Sequence, residues 1–191
     1  MKSLLIVYNI CGLGREQPQL YLDAINRILT QDYINKRIIV SSCCNTKETR
    51  NLLETTFGNR ISYCYIDSKE TVPITFNKTV QESVSNLGTF DAYMFVASDI
   101  LFSFYDRSSK ELSRLMSRLD NEDITMLAAR VDRDSGYQWW FNFEEHEFPL
   151  EDLIIPVGKT CNLHAQIFTE EFREAYDDRI LYDYFTSFCL E

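Results

Sequence analysis

Asp99 ends the run Phe95-Val96-Ala97-Ser98-Asp99-Ile100, where an apolar segment gives way to a carboxylate. A carboxylate at the end of a buried strand projects into the crevice at the sheet edge. Manganese and magnesium take oxygen ligands of this kind, and the bound cation can bridge to a diphosphate. An Asp in this place can equally cap the following turn. Trp139 and Trp140 are the only tryptophans, inside an aromatic and acidic stretch from Asp134 to Phe148. Aromatic faces stack on the C–H surfaces of sugars. Neighbours on a strand point to opposite faces, so one tryptophan can face a ligand while the other packs; plain packing of both is the alternative. The six cysteines are Cys11, Cys43, Cys44, Cys64, Cys161 and Cys189. None has Cys-x-x-Cys spacing, and adjacent Cys43-Cys44 makes a poor zinc clip. Their apolar surroundings predict buried free thiols in a reducing compartment.

These residues need elements to position them. Leu4 to Tyr8 is a continuous apolar run, as expected for a strand buried on both faces. Gly12, Gly14 and Pro18 predict a loop from Ile10 to Gln19. Leu22, Ile25 and Leu29 then repeat at helical spacing. Arg37 to Val40 is a second strand, followed by a turn over Ser41 to Thr46. Thr46 is a suitable N-cap for a helix that places Leu52, Leu53 and Phe57 on one face and ends at Gly58-Asn59. Ile61 to Ile66 is a third strand. Pro73 stands at a helix start, and Phe76, Val80, Val84 and Leu87 form the apolar stripe of that helix. Ala92 to Ala97 is a fourth strand. Leu112, Leu115, Met116 and Leu119 mark another helix, and Ile124 to Val131 a fifth strand. Leu163 to Thr169 is one further strand candidate, and closing helices follow from Glu170.

Strand and helix alternate four times, so the N-terminal two thirds is predicted to be an α/β, mostly parallel sheet flanked by helices. Ligands bind beyond the carboxyl ends of such strands. Tyr8-Asn9, Ser41-Ser42, Asp67 and Ser98-Asp99 are therefore the positions of interest.

The chain has 191 residues, 45% hydrophobic and 14% aromatic, enough for one domain with a sizeable core. The formal charge of -10 disfavours general nucleic-acid binding. A single nucleotide is still allowed, because a cation can bridge carboxylates and phosphates. Asn9 interrupts the first apolar run and Arg15-Glu16 follow, which argues against a signal peptide. No apolar run reaches the length of a transmembrane segment. A cytoplasmic chain is expected, or host cytoplasm for a viral one.

The order of segments resembles the GT-A fold glycosyltransferases, family 2-like, in an unusually short form. Tyr8-Asn9 stands where the family has Thr-Tyr-Asn after the first strand. Tyr21 to Tyr33 resembles the family stretch ending in Gln-x-Tyr, here Gln31-Asp32-Tyr33. Thr75-Phe76-Asn77 resembles the helix start that carries Arg-Asn, and Phe95 to Ile100 matches the Asp-x-Asp segment. The likeness spans residues 3 to 103. Two departures stand out. The family's second strand ends in Asp-Asp-Gly-Ser, but here the end is Ser41-Ser42-Cys43-Cys44-Asn45-Thr46, where Ser42 or Asn45 could hydrogen-bond a base. The Asp-x-Asp keeps only Asp99.

The resemblance implies a single domain over 1–191, with residues 1–103 as the nucleotide-sugar-binding half and 104–191 as the rest of the sheet and the acceptor side. It implies a glycosyltransferase of the hexosyltransferase type that moves a sugar from a nucleotide-sugar donor, a UDP-sugar, to an acceptor hydroxyl. Tyr8 and Asn9 would flank the base. Ser42, Asp67, Asn77, Lys78 and Ser98 would line the nucleotide. A solvated lysine is the alternative for Lys78. Asp99 would hold Mn2+ or Mg2+, and a late histidine, His164, would complete the metal site or serve as a core histidine. His146, between Glu145 and Glu147, reads as a surface residue. An inverting enzyme needs a carboxylate base, for which Asp183 and Glu191 are candidates and Asp132, Asp134, Glu144 and Glu145 further ones. Trp139 and Trp140 would serve a sugar, lipid or protein acceptor. The short form suits a minimal enzyme, a homo-oligomer or a chain that needs a partner to complete its acceptor side.

Three other readings compete. A nucleotide-sugar-binding module without turnover fits the reduced motifs. A Rossmann dinucleotide enzyme fits Gly12-Leu13-Gly14 but lacks the third glycine. A sugar-nucleotidyltransferase would want a longer glycine-rich basic loop than Cys11-Gly12-Leu13-Gly14-Arg15.

Overall fold

The computed structural model describes residues 1–12, 16–70, 72–98, 109–119, 126–128, 153–154 and 165–169. At its centre is β1 (Leu4–Cys11), with no polar residue until Asn9, so both faces can be buried. On one side β1 pairs in parallel with β2 (Lys36–Cys43), which pairs in parallel with β3 (Ser62–Ile66). On the other side β1 pairs in parallel with β4 (Ala92–Ala97). Four α-helices are described: α1 (Pro18–Leu29), α2 (Lys47–Phe57), α3 (Val72–Leu87) and α4 (Glu111–Arg118). The remaining strands are β5 (Met126–Ala128), β6 (Leu153–Ile154) and β7 (Ala165–Thr169), and the sheet order is β3-β2-β1-β4-β7-β5-β6.

The fifth strand therefore does not lie beside the fourth. β7 arrives from far along the chain and inserts between them, antiparallel to both. Periodicity reads what each strand buries, not its neighbour in the sheet, so this insertion could not be read from spacing.

The sheet's two faces are covered differently. Leu4, Ile6, Tyr8 and Ile10 of β1 point to one face, with Ile38 and Val40 of β2 and Met94 and Val96 of β4. There they meet Tyr21, Ala24, Ile25 and Ile28 of α1, Leu53 and Phe57 of α2, and Leu112, Leu115 and Met116 of α4. Each such aliphatic side chain, fully removed from water, contributes roughly 1.5–3 kcal/mol before entropy is counted. Among the described helices, α3 covers the opposite face. Its buried stripe is Thr75, Phe76, Thr79, Val80 and Ser83, while Leu87 is exposed. The predicted apolar stripe through Val84 and Leu87 is thus rotated toward residues 75, 79 and 83. Hydroxyls are tolerated there because Thr79 and Ser83 donate to carbonyls one turn back, of Thr75 and Thr79, at 2.7 and 2.6 Å. Likewise Leu52 of α2 is 40% exposed, and Thr49 takes its place beside Leu53 and Phe57.

Both central strands outrun their apolar segments. β1 continues through Asn9, Ile10 and Cys11, and β2 through Ser41, Ser42 and Cys43, as paired rungs of one ladder. α1 begins at Pro18, within the stretch expected to be loop. Thr46 is the N-cap of α2 as expected, its hydroxyl accepting from the Thr49 N–H. Gly58 ends that helix at φ 51°.

Gln31-Asp32-Tyr33 is a structural clamp. The buried Gln31 amide oxygen accepts the Leu112 N–H at 3.0 Å, capping α4. Tyr33 donates its hydroxyl to the Lys2 carbonyl ahead of β1, and the Asp32 N–H donates to the Ser109 carbonyl at 2.8 Å. Among the described residues, no helix is long and apolar enough to cross a membrane.

Candidate functional site

The carboxyl edge of β1, β2, β3 and β4 is where the sequence places the chemistry. Its first layer is a buried polar floor. Asn9, 5% exposed, accepts the Thr75 hydroxyl at 3.0 Å. On the neighbouring rung, the Ser41 and Thr79 hydroxyls lie 2.8 Å apart. These pairs join β1 and β2 to the first turns of α3 and explain why polar residues continue the strands: each finds its partner inside.

The floor corrects three expectations. Tyr8 has no exposed surface and belongs to the core, so its ring has no face open to a base. Its hydroxyl instead donates to the Ser98 carbonyl at 2.8 Å, fixing the backbone where β4 ends. Ser42 is fully buried, and its hydroxyl donates to Asn45 Oδ1 at 2.8 Å. It supports the β2 turn from behind and offers no surface to a base. Asn9, bound to Thr75, is likewise a floor residue.

Glu16 is the residue that sequence reasoning missed. Asn45 passes the Ser42 contact on, its amide donating to Glu16 Oε1 at 3.1 Å. The same carboxylate accepts the Thr46 N–H at 2.7 Å, the Thr46 hydroxyl at 2.8 Å and the Thr49 hydroxyl. A carboxylate thus closes the N-terminus of α2, where the helix dipole favours negative charge. Burial would raise its pKa, but the hydrogen bonds from Thr49, Thr46 and Asn45 together hold it below the ordinary value. No local pattern marks this role, since Glu16 and its partners are thirty residues apart in the chain; the one signal was a carboxylate leaving β1 opposite a Thr N-cap.

Gly12 fits the same junction. Its N–H donates to the Cys43 carbonyl at 2.8 Å. A Cβ there would lie 2.2 Å from the Cys44 carbonyl oxygen and 2.5 Å from Asn45 Cα, both backbone atoms. Cys44 turns the chain with φ 53°, an uncommon value for a residue with a side chain.

The other predicted residues divide. Asp67 follows β3 and pairs with Arg50 of α2 at 2.8 Å, with its side chain 83% exposed. Lys78 pairs with Glu70 at 2.7 Å, which holds the Glu70 carboxyl below its ordinary range. Lys78 therefore ties α3 to the segment after β3 in this arrangement. Asn77 and Ser98 are half-buried. Asn9, Ser42 and Ser98 are brought to one edge around the ends of β1, β2 and β4, with Asp67 and Lys78 on its β3 and α3 flank. Asp99, His164, Trp139, Trp140, Asp183 and Glu191 lie outside the described residues. Among the described residues, no group of three or more His, Cys, Asp or Glu side chains is arranged to hold a metal ion. At the opposite, amino edge of the sheet is a cavity of about 210 Å³ lined in part by Lys36, Arg37 and Arg60. None of the described site candidates lines it.

No protein-family model and no curated protein sequence matches the chain. Solved structures do match its fold. One is the mannosyltransferase PcManGT from Pyrobaculum calidifontis, in complex with GDP-Man and Mn2+, with TM-score 0.63 and 12% identity; the match covers 91% of this chain and 46% of that one. A second is S. aureus TarS residues 1–349, with TM-score 0.52, 13% identity and 71% and 37% covered. A third is a 4-diphosphocytidyl-2C-methyl-D-erythritol synthase, with TM-score 0.56, 10% identity and 97% and 85% covered. The chain spans about half the length of the mannosyltransferase. These matches show that the chain, with its four parallel strands flanked by helices, has a GT-A-type fold.

Proposed function

We propose that the chain is a nucleotide-sugar-dependent glycosyltransferase that binds its donor across the carboxyl ends of β1, β2 and β4. The observation that carries this reading is the Tyr8–Ser98 hydrogen bond. It fixes the backbone one residue before Asp99, at the end of the strand beside the central one, within a GT-A-type sheet. A rigid support of this kind is what a ligand-holding carboxylate needs.

In this reading Asp99, with His164, holds Mn2+ or Mg2+. The cation, when bound, offsets charge on the departing diphosphate. The chain's own residues do the rest. The polar floor of Asn9, Thr75, Ser41 and Thr79 keeps the strand ends in register. Gly12 lets the end of β1 approach the β2 turn, and Glu16 holds that turn to α2. Asp67, Asn77 and Lys78 lie on the donor's flank. Trp139 and Trp140 stack on the acceptor, a sugar, lipid or protein. Asp183 or Glu191 removes the proton from its attacking hydroxyl. A UDP-sugar is the expected donor; because PcManGT was solved with GDP-Man, guanosine donors belong in the same test.

Thermal shifts against nucleoside diphosphates and nucleotide-sugars, with and without manganese, test the reading on wild type and Asp99→Ala. The expected result is a manganese-dependent shift that Asp99→Ala abolishes, with slow release of free sugar. No metal-dependent shift with any nucleotide contradicts it. A second reading, a nucleotide-sugar-binding module without turnover, is favoured by the reduced motif Ala97-Ser98-Asp99, which keeps one carboxylate of the Asp-x-Asp pair. A shift without sugar release would select it.

A further inference from the structure

Three of the described cysteines meet at the carboxyl edge. Cys11 and Cys43 are partners on the last rung of the β1–β2 ladder. They share the α3 face of the sheet with Asn9 and Ser41, two residues back on each strand, which contact Thr75 and Thr79. The rung is held in place, since the next N–H, of Gly12, donates to the Cys43 carbonyl at 2.8 Å. Cys44 follows in the turn, its Sγ 3.9 Å from that of Cys43.

Covalent geometry separates the two pairs. Neighbouring strands run about 4.8 Å apart, inside the roughly 4.4–6.8 Å between Cα atoms that a disulfide spans. Consecutive Cα atoms are about 3.8 Å apart, below that range, so a Cys43–Cys44 bond would require the turn to be rebuilt. Cys64 lies on the same sheet face one strand over, but is paired with Ser41 and not Cys43. Its thiol donates to Glu82, and burial pushes it up to about 11, which leaves it inert.

Access differs along the rung. Cys11 is half-buried, whereas Cys43 is 1% exposed. The Cys43 thiol lies beneath the segment that joins β3 to α3, 3.5 Å from the Ser68 carbonyl and 4.0 Å from that of Glu70. Burial raises its pKa and so favours the thiol form.

We propose that Cys11 and Cys43 form an oxidisable dithiol at the carboxyl edge, closed to a cross-strand disulfide by exchange with a small disulfide of the glutathione type. The Cys11 sulfur attacks one sulfur of the small disulfide, whose S–S bond breaks and expels one thiolate, which takes up the Cys11 proton. Cys43 sulfur then attacks the Cys11 sulfur of the mixed disulfide and expels the second, its proton passing to the leaving group. The protein loses two hydrogens, and the small disulfide takes up both as two thiols. Closure draws the Cys43 sulfur away from the Ser68 and Glu70 carbonyls and so loosens the segment that carries Asp67 and the Lys78 partner Glu70. The dithiol closes whether or not the chain binds a nucleotide.

The test is disulfide mapping of the full chain. Folded wild type, Cys11→Ser and Cys44→Ser are equilibrated across ratios of oxidised to reduced glutathione, alkylated, digested without reduction and sequenced by fragment-ion mass spectrometry. Wild type and Cys44→Ser are expected to give a Cys11–Cys43 linkage, two hydrogen masses lighter than the free thiols and reversed by dithiothreitol; Cys11→Ser is expected to give no intramolecular linkage. A linkage mapped to Cys43–Cys44, one that includes Cys64, Cys161 or Cys189 in place of Cys11, or free Cys11 and Cys43 across the whole series would overturn the proposal. Wild-type mapping decides alone if a variant fails to fold.

Discussion

Replacing Glu16 by Gln tests whether a single carboxylate holds the junction of β1, β2 and α2. Gln keeps the side chain's length but loses the charge and one acceptor oxygen. It also turns N–H groups toward the Thr46 N–H and the Thr46 and Thr49 hydroxyls, which now donate to Glu16. Hydrogen bonds to a charged acceptor each contribute about 1.5–3 kcal/mol when formed inside the fold. Glu16 is half-buried, so water screens part of this, and the expected net loss is about 2 kcal/mol. For a chain of this size that corresponds to a fall in Tm of roughly 4–8 °C. The effect has a pH signature. The folded pKa of Glu16 lies below its ordinary 4.5. Its stabilisation is therefore complete above the unfolded pKa and is lost as pH falls through the folded one. Urea unfolding of wild type and Glu16→Gln, followed by far-ultraviolet circular dichroism from neutral to acid pH, measures both. The gap is expected to be full at neutral pH and to close on acidification. A gap under about 0.5 kcal/mol at neutral pH, the ordinary size for a surface substitution, refutes the reasoning. So does a gap that does not change with pH.

Three further substitutions probe the same edge. Gly12→Ala places a Cβ against backbone atoms of Cys44 and Asn45; a loss of about 1–3 kcal/mol in chemical unfolding is expected, and unchanged stability would show that the junction opens freely. Thr79→Val leaves the buried Ser41 hydroxyl without its partner; the expected cost is about 1–3 kcal/mol, read by the same unfolding curves. Tyr8→Phe removes the hydroxyl that holds Ser98; it is expected to cost about 1 kcal/mol of stability and to weaken manganese-dependent nucleotide binding in a calorimetric titration. Equal nucleotide affinity in Tyr8→Phe and wild type would remove that support from Asp99.

Much of the fold was legible because burial writes itself into periodicity. The apolar runs at Leu4, Ile38, Ile61 and Ala92 and the helical spacing of Leu112, Leu115 and Met116 all mark elements that are present. Strand ends were less legible, because Asn9, Ser41 and Ser42 look like loop residues when read alone. They remain in strands because Thr75, Thr79 and Asn45 satisfy them, and such partners lie up to sixty-six residues away. Separation along the chain, about thirty residues, also hid Glu16. Tyr8 shows the converse. The family resemblance implied a ring beside the base, whereas two-residue alternation aligns Tyr8 with Leu4, Ile6 and Ile10 on the packed face. Gln31 and Tyr33, just after α1, fasten it to α4 and to the start of β1.

Hydrogen exchange of backbone amides, read by mass spectrometry with a nucleotide-sugar and manganese, tests most directly where the donor binds. The account predicts slowed exchange in peptides that span residues 9–12, 42–46 and 96–99, dependent on manganese and absent in Asp99→Ala. Protection confined to the amino edge around Lys36, Arg37 and Arg60, or no protection by any nucleotide-sugar, would contradict it.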